Sequence, residues 1–158
     1  MSSTDEMYQS VIIEHDRSPR NFRQMETPSH HAEGSNPLCG DKVAIDLLVG
    51  ADGRITDIAF QGSGCAISRA SASMMTTTLK GKTTAEAREL FEQFHALLTR
   101  GKADTGALGK LVVFKGVGEF PMRVKCATLS WHAMNAALST TTIESQHQGE
   151  SRSCPIPK

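Results

Sequence analysis

The feature that most constrains the fold is a strand–turn–strand pattern in the first half of the chain. From residue 43 to 49, apolar side chains occupy every second position, which is the period expected of a β-strand. Residues 50–53 contain the Asp-Gly pair that favours a hairpin turn, and residues 54–61 return as a second strand rich in β-branched and aromatic side chains. A third strand is also possible, and its position is left open: it comes either from the loop region before the hairpin or from residues 111–114.

Helical patterns lie on both sides of this hairpin. Residues 7–17 are predicted to form an amphipathic helix that ends before Pro19, because the residue before a proline disfavours the helical conformation. Residues 23–35 are polar and show no periodicity, so they are predicted to form a loop. After the hairpin, residues 66–79 are predicted to form a helix of small and medium side chains that begins next to Cys65.

The second half of the chain is predicted to be helical. Thr83 and Glu86 have the spacing of a capping box, and the helix that follows carries apolar residues at helical spacing as far as Arg100. Residues 101–110 are predicted to form a linker, and Pro121 is suited to the first turn of a final helix. This order predicts an α+β fold: a small antiparallel sheet of about three strands, covered on one face by helices.

The length fits one domain with its own core. The chain has 158 residues, of which 39% are hydrophobic. We expect a single domain over residues 1–138, because residues 139–158 are rich in Ser, Thr, Gln and Pro and are predicted to be a disordered tail. Cys154 lies in this tail and is expected to be an exposed thiol without a role.

Charge and hydropathy exclude two classes of partner. Seventeen basic residues balance seventeen acidic residues, and only 5% of the residues are aromatic, so no nucleic-acid partner is expected. No apolar run approaches the roughly 20 residues of a membrane span, and no signal peptide is recognised, so no membrane association is expected. A cytoplasmic location is expected, where four cysteines indicate thiols or metal ligands rather than disulfides.

Four residues are candidate metal ligands. Cys39 lies between Pro37 and Gly40, in a turn that can direct backbone N–H groups at its sulfur, and Asp41 follows two positions later. Cys65 is placed at a helix N-terminus, where the helix dipole favours an anion. Cys126 is near the start of the last helix and is flanked by cationic residues, Arg123 and Lys125.

The spacing of these residues does not by itself establish a site. The chain has no Cys-x-x-Cys pair, so the fold must bring the ligands together, and buried cysteines also serve as small apolar residues. Three thiolates and a carboxylate can complete a tetrahedral zinc shell, and thiolates also hold iron–sulfur clusters. His30, His31 and His132 are metal ligands by type, but their positions favour surface or packing roles.

The identity of the residues is more specific than their spacing. Three stretches resemble the U-type iron–sulfur cluster assembly proteins: Asn36-Pro37-x-Cys39-Gly40-Asp41, Gly62-x-Gly64-Cys65-x-Ile67-Ser68, and Val124-Lys125-Cys126-Ala127. The resemblance covers about residues 7–138 and implies an IscU/SufU-like fold. IscU proteins carry a histidine just before the third cysteine, where this chain has Lys125. This departure and the long stretch between Cys65 and Cys126 are features of the SufU branch.

The SufU resemblance implies a specific chemistry. It implies a Zn²⁺ site at Cys39, Asp41, Cys65 and Cys126, a SufS-type cysteine desulfurase as partner, and Cys39 as the thiol that accepts persulfide sulfur. Downstream Fe–S scaffolds or apo-protein acceptors would receive the sulfur. Arg123 and Lys125 are expected either to tune the site or contact the partner, or to be solvated surface residues.

Two other functions stay open from the sequence. The same cysteines could assemble a transient [2Fe–2S] cluster, as in an IscU-like scaffold, although the missing histidine argues against direct cluster building. Alternatively, the site could be a structural zinc module without thiol chemistry. Whether the chain is an enzyme stays open from the sequence; the sulfur-transfer hypothesis makes it a zinc-dependent sulfurtransferase partner of a cysteine desulfurase rather than a stand-alone enzyme.

Overall fold

The computed structural model describes residues 3–37, 40–101 and 105–139. Along the chain the elements are α1 (Ser3–Arg17), β1 (His30–Asn36), β2 (Asp41–Val49), β3 (Ile55–Ser63), α2 (Ala66–Leu79), α3 (Thr84–Arg100), α4 (Thr105–Leu108), a 3₁₀ helix (Gly109–Glu119) and α5 (Pro121–Ser139). The predicted α+β class is confirmed: three strands form one sheet, and helices α2 and α5 pack against it.

The predicted hairpin forms the centre of the fold. The strands lie in the order β1-β2-β3, and both pairs are antiparallel. Ile45 of β2 lies opposite Ala32 of β1 and Phe60 of β3, and all three side chains are buried in the core. The turn at Gly53 adopts a positive φ of 82°, which glycine tolerates without steric cost.

The third strand comes from the region that was predicted to be a loop. Residues 23–35 were expected to lack regular structure, but β1 occupies His30–Asn36 and pairs with β2 along its whole length. Its buried positions alternate at Ala32, Gly34 and Asn36. Because these residues are small or polar, the sequence does not show the apolar alternation that is usual for a half-buried strand. The other candidate, residues 111–114, was wrong, because these residues lie in the 3₁₀ helix.

The helices of the second half follow their predicted boundaries closely. The capping box is present: Glu86 N–H donates to Thr83 Oγ1 (3.1 Å), and Thr83 N–H donates to Glu86 Oε1 (2.9 Å). Helix α3 ends at Gly101, which has a positive φ of 72°. The predicted linker 101–110 was partly wrong, because it contains α4 and the start of the 3₁₀ helix.

The core joins the two helices that carry cysteines. Trp131 of α5 is fully buried and stacks on Phe94 of α3, with 4.7 Å between the ring centroids. Its indole N–H donates to Ser71 Oγ of α2 (3.2 Å), and the Ser71 hydroxyl donates to the carbonyl of Ala127 (2.5 Å). These bonds satisfy buried polar groups and fix α2 against α5.

Helix α5 continues through Ser139. Residues 140–158, on which the predicted tail and Cys154 fall, lie outside the described residues. Among the helices that the structure describes, none is both long enough and apolar enough to cross a membrane.

Candidate metal centre

Three predicted ligands meet at one corner of the molecule. Asp41 is the first residue of β2, Cys65 is the N-cap of α2, and Cys126 lies in the second turn of α5. A carboxylate oxygen and the two sulfur atoms all lie within 4.8 Å of one another. Asp41 and Cys126 are buried and Cys65 is half-buried, so the fold brings together residues that are far apart in the sequence.

The strand register places Asp41 beside the segment that leads to Cys65. Lys42 pairs with Ser63, and the next positions bring Asp41 against Gly64. A Cβ atom on Gly64 would lie 2.2 Å from Asp41 Oδ1, and Gly64 also has a positive φ of 151°. In the sequence, Gly64 was noted as part of the motif that contains Cys65. The structure shows that its missing side chain makes room for the carboxylate.

The carboxylate of Asp41 is held in one orientation. Its Oδ1 accepts the backbone N–H of Cys65 at 2.8 Å, and its Oδ2 lies 3.7 Å from Cys65 Sγ, from which it accepts a hydrogen bond. Oδ1 is occupied by the backbone, and Oδ2 is the oxygen that contacts the Cys65 sulfur. Such supporting bonds orient the ligands of a metal site.

Cys65 lies at the helix N-terminus that was predicted for it. Its sulfur accepts the backbone N–H of Ser68 at 3.4 Å, so the thiol serves as the N-cap of α2. Helix N-termini favour negative charge, and thiolates are stabilised there. The bond from Ser68 could have been anticipated, because Ser68 lies three residues after a cysteine that was predicted to begin a helix.

The donor set fits a thiophilic divalent metal such as zinc. In a tetrahedral site with Zn–S near 2.3 Å and Zn–O near 2.0 Å, neighbouring ligand atoms lie about 3.5–3.8 Å apart. The separation of 3.7 Å between Cys65 Sγ and Asp41 Oδ2 agrees with this spacing. Two sulfurs and one carboxylate leave one position of a tetrahedral shell for a further ligand.

Cys39 lies outside the described residues. Pro37 and Gly40 are in turn conformations between β1 and β2, and Gly40 N–H donates to the Asn36 carbonyl at 2.9 Å. The role predicted for Cys39 therefore stays a prediction.

Arg123 and Lys125 are exposed on the first turns of α5. The Arg123 guanidinium lies over the ring of Phe120, 4.7 Å from its centroid. These positions agree with either of the roles expected from the sequence, in which they contact a partner or are solvated. The choice between these roles stays open.

The histidines have other partners. His132 packs edge-on against Phe91, with 5.2 Å between the ring centroids, and burial lowers its pKa to about 4. His31 Nδ1 contacts Asp46 Oδ1 at 2.5 Å, and this bond is the main cause of its raised pKa. His30 Nδ1 contacts Ser29 Oγ at 2.9 Å. The three histidines thus have packing or hydrogen-bonding roles.

Comparisons with known proteins agree on one family. The family model for the NifU-like N-terminal domain matches residues 7–127. The zinc-dependent sulfurtransferase SufU of Bacillus subtilis is 37% identical over 140 residues, which are 87% of this chain and 93% of that protein. The iron–sulfur cluster assembly scaffold protein IscU of Streptococcus pyogenes is 34% identical over 149 residues, which are 93% of this chain and 91% of that protein.

Solved structures share the whole architecture. The candidate iron–sulfur cluster assembly scaffold protein for the SUF system from Fervidobacterium islandicum superposes with a TM-score of 0.79 at 33% identity, over 84% of this chain and 97% of that chain. A nitrogen-fixing NifU-like N-terminal protein from Brucella abortus gives a TM-score of 0.78 at 26% identity, over 87% of this chain and 96% of that chain.

Proposed function

The chain belongs to the NifU-like N-terminal domain family and is an iron–sulfur cluster assembly protein of the SufU/IscU type, and on this premise we propose that it accepts persulfide sulfur from a cysteine desulfurase at Cys39 and passes it on. The observation that carries the proposal is the meeting of Asp41, Cys65 and Cys126 at one corner. Two residues of chain span at most about 7 Å, so Cys39 is tethered to this corner through Asp41.

The proposed site holds Zn²⁺ with Cys39, Asp41, Cys65 and Cys126. The similarity to SufU of Bacillus subtilis, a protein named as zinc-dependent, supports this ion, as does the donor set of the described residues. Bound zinc would keep its thiol ligands deprotonated without adding redox chemistry. Asp41, Cys65 and Cys126 hold the site in place, while Cys39 lies in the sequence between the end of β1 and the start of β2.

Sulfur acceptance is a thiol–disulfide type of exchange. The Cys39 thiolate attacks the terminal sulfur of the desulfurase persulfide, and a new S–S bond forms as the old one breaks. The desulfurase cysteine leaves as a thiolate, so no external oxidant or reductant is needed. A downstream Fe–S scaffold or an apo-protein takes the sulfur in a second exchange of the same kind. We place this chemistry in the cytoplasm, where thiols stay reduced, and the desulfurase of the SufS type is the proposed donor.

Sulfur transfer is tested on the intact protein by mass spectrometry. The purified zinc-loaded chain is incubated with the desulfurase and cysteine, and the added mass of sulfur is measured. We expect Cys39→Ala to lose sulfur acceptance, whereas the matched control Cys154→Ala should retain it. Sulfur acceptance by Cys39→Ala at the wild-type level would overturn the proposal.

A second candidate function is the assembly of a labile [2Fe–2S] cluster as cargo on the same thiols. The similarity to IscU of Streptococcus pyogenes, a protein named as a scaffold, favours it. Anaerobic reconstitution with iron and sulfide separates the two functions. A visible chromophore that transfers to an apo-ferredoxin supports the scaffold function, whereas its absence in a chain that accepts sulfur supports the sulfur carrier.

A further inference from the structure

A groove of about 760 Å³ lies next to the candidate metal centre. It is formed by α1, the end of α3, the 3₁₀ helix and the first residues of α5, and we call it the basic groove. It is lined by Ile67, which lies two residues after Cys65, and by Arg123, which lies three residues before Cys126. The groove therefore begins within one helical turn of two candidate ligands.

The base of the basic groove is apolar and rigidly built. Ile12, Leu97 and Val113 line it from three different elements. The 3₁₀ helix packs closely on α3 there, because a Cβ atom on Gly118 would lie 2.6 Å from the Leu98 carbonyl oxygen. At its rim, Phe120 is 47% exposed and adds an apolar ring to the surface of the groove.

The rim of the basic groove is mainly cationic. Arg100, Lys115 and Arg123 line it, against the single carboxylate of Glu119. The Arg123 guanidinium is positioned over the Phe120 ring, so an aromatic surface and a cation are presented together. An apolar base with a positive rim complements a segment that carries apolar and acidic side chains.

We propose that the basic groove docks an acidic, apolar segment of the cysteine desulfurase that supplies sulfur. This inference rests on the proposed function and adds the surface that the partner uses. Docking here would deliver the persulfide near Cys65 and Cys126, since Ile67 and Arg123 of the groove lie two and three residues from these cysteines. The net charge of the chain is zero, so the cationic rim is a local feature and not part of a generally basic surface. Such a local patch is suited to a protein partner.

Gly116 allows the groove to be filled without disturbing the fold. It lines the groove, and a Cβ atom placed on it would meet no heavy atom within 4 Å. We expect Gly116→Trp to raise the dissociation constant for the purified desulfurase about tenfold, as measured by fluorescence anisotropy of the labelled chain. Zinc content and sulfur acceptance from glutathione persulfide should match the wild type, because neither needs docking.

Charge reversal tests the rim separately. The double variant Arg100→Glu/Lys115→Glu should slow association with the desulfurase about tenfold at low salt, and the salt dependence of the rate should weaken. The matched control is Lys82→Glu, two residues before the start of α3 and more than a helix length of about 25 Å from Arg100 at its other end, which should bind as the wild type does.

The outcomes separate the groove from the proposed function. Wild-type binding by Gly116→Trp, or no binding of the desulfurase by the wild type, overturns the docking proposal. If the desulfurase binds the wild type but transfers no sulfur, only the proposed function is contradicted. Weaker binding by Gly116→Trp would then still support docking in the basic groove. If sedimentation shows that Gly116→Trp dissociates a dimer while its desulfurase binding is unchanged, the occupant is a second copy of this chain, and the docking proposal fails.

Discussion

Two buried aspartates on one strand have opposite kinds of surroundings. Asp41 and Asp46 are five residues apart on β2, and both are nearly inaccessible to solvent. Asp46 contacts the imidazole of His31 and accepts the backbone N–H of Met25 at 3.0 Å. Asp41 instead lies among two sulfur atoms and accepts one backbone N–H.

The difference shows that burial of a carboxylate does not identify a site. Asp46 lies beside His31, which is a cation when it is protonated. The hydrogen bonds of Asp46 connect β1 and the segment before β1 to β2, which is a structural role. Asp41 has no described cation beside it and faces soft donors, an arrangement that a thiophilic metal would compensate. The chemistry of the neighbours therefore distinguishes the two.

The largest expected effect comes from removing each aspartate in turn. Asp41→Ala should lower zinc content from about one ion per chain to nearly none, and should cost several kcal/mol of unfolding free energy in the presence of zinc. Asp46→Ala should keep its zinc and lose about 1–3 kcal/mol. Metal analysis and urea denaturation measure both quantities. Equal zinc loss in the two variants would break the comparison.

A smaller change tests the space around Asp41. In Gly64→Ala the new Cβ would meet Asp41 Oδ1 at 2.2 Å, and the residue would also keep a backbone conformation that side chains disfavour. We expect a loss of about 2–3 kcal/mol of unfolding free energy, together with weaker zinc binding in a competition assay with a chelator. Unchanged zinc affinity would show that the carboxylate does not need its present position.

The pH dependence sharpens the role of Asp46. Its hydrogen bond with His31 raises the pKa of that histidine above the unfolded value, so protonated His31 contributes stability that is complete below about pH 6.5. The contribution is lost as pH rises through the folded-state pKa. His31→Gln should therefore cost about 1–2 kcal/mol at pH 6 and less at pH 8.5, by urea denaturation. An equal cost at both pH values would contradict this account.

The smallest effect serves as a reference for stability alone. Thr83→Ala removes the capping box of α3 and should cost about 1 kcal/mol. Zinc content should be unchanged, because Thr83 belongs to neither aspartate's surroundings. If this variant lost zinc, then zinc loss in Asp41→Ala could be a consequence of lower stability.

The sequence predicted elements whose pattern is local and strong. The alternation over 43–49, the capping box at Thr83 and Glu86, and Pro121 at the start of α5 each have one local physical cause, and the structure confirms them. Strand β1 could not be placed and was only one of two alternatives, because its buried residues, Ala32 and Gly34 among them, are too small to give an apolar period.

The site was predicted through residue identity rather than spacing. Cys39, Asp41, Cys65 and Cys126 were candidate ligands by type and local environment, and only the family resemblance grouped them into one site. The fold brings Asp41, Cys65 and Cys126 together. Asp46 was not singled out from the sequence. Its partner His31 lies in the segment that was predicted to be a loop, so their contact could not be anticipated.

X-ray absorption at the zinc edge of the purified wild-type chain tests the central claim most directly. The account predicts about one zinc per chain in a four-coordinate shell dominated by sulfur, with Zn–S near 2.3 Å and one oxygen ligand near 2.0 Å. The oxygen contribution should come from Asp41 and should persist in Asp46→Ala. A shell of nitrogen and oxygen alone, or a folded chain that accepts sulfur without any metal, would contradict the account.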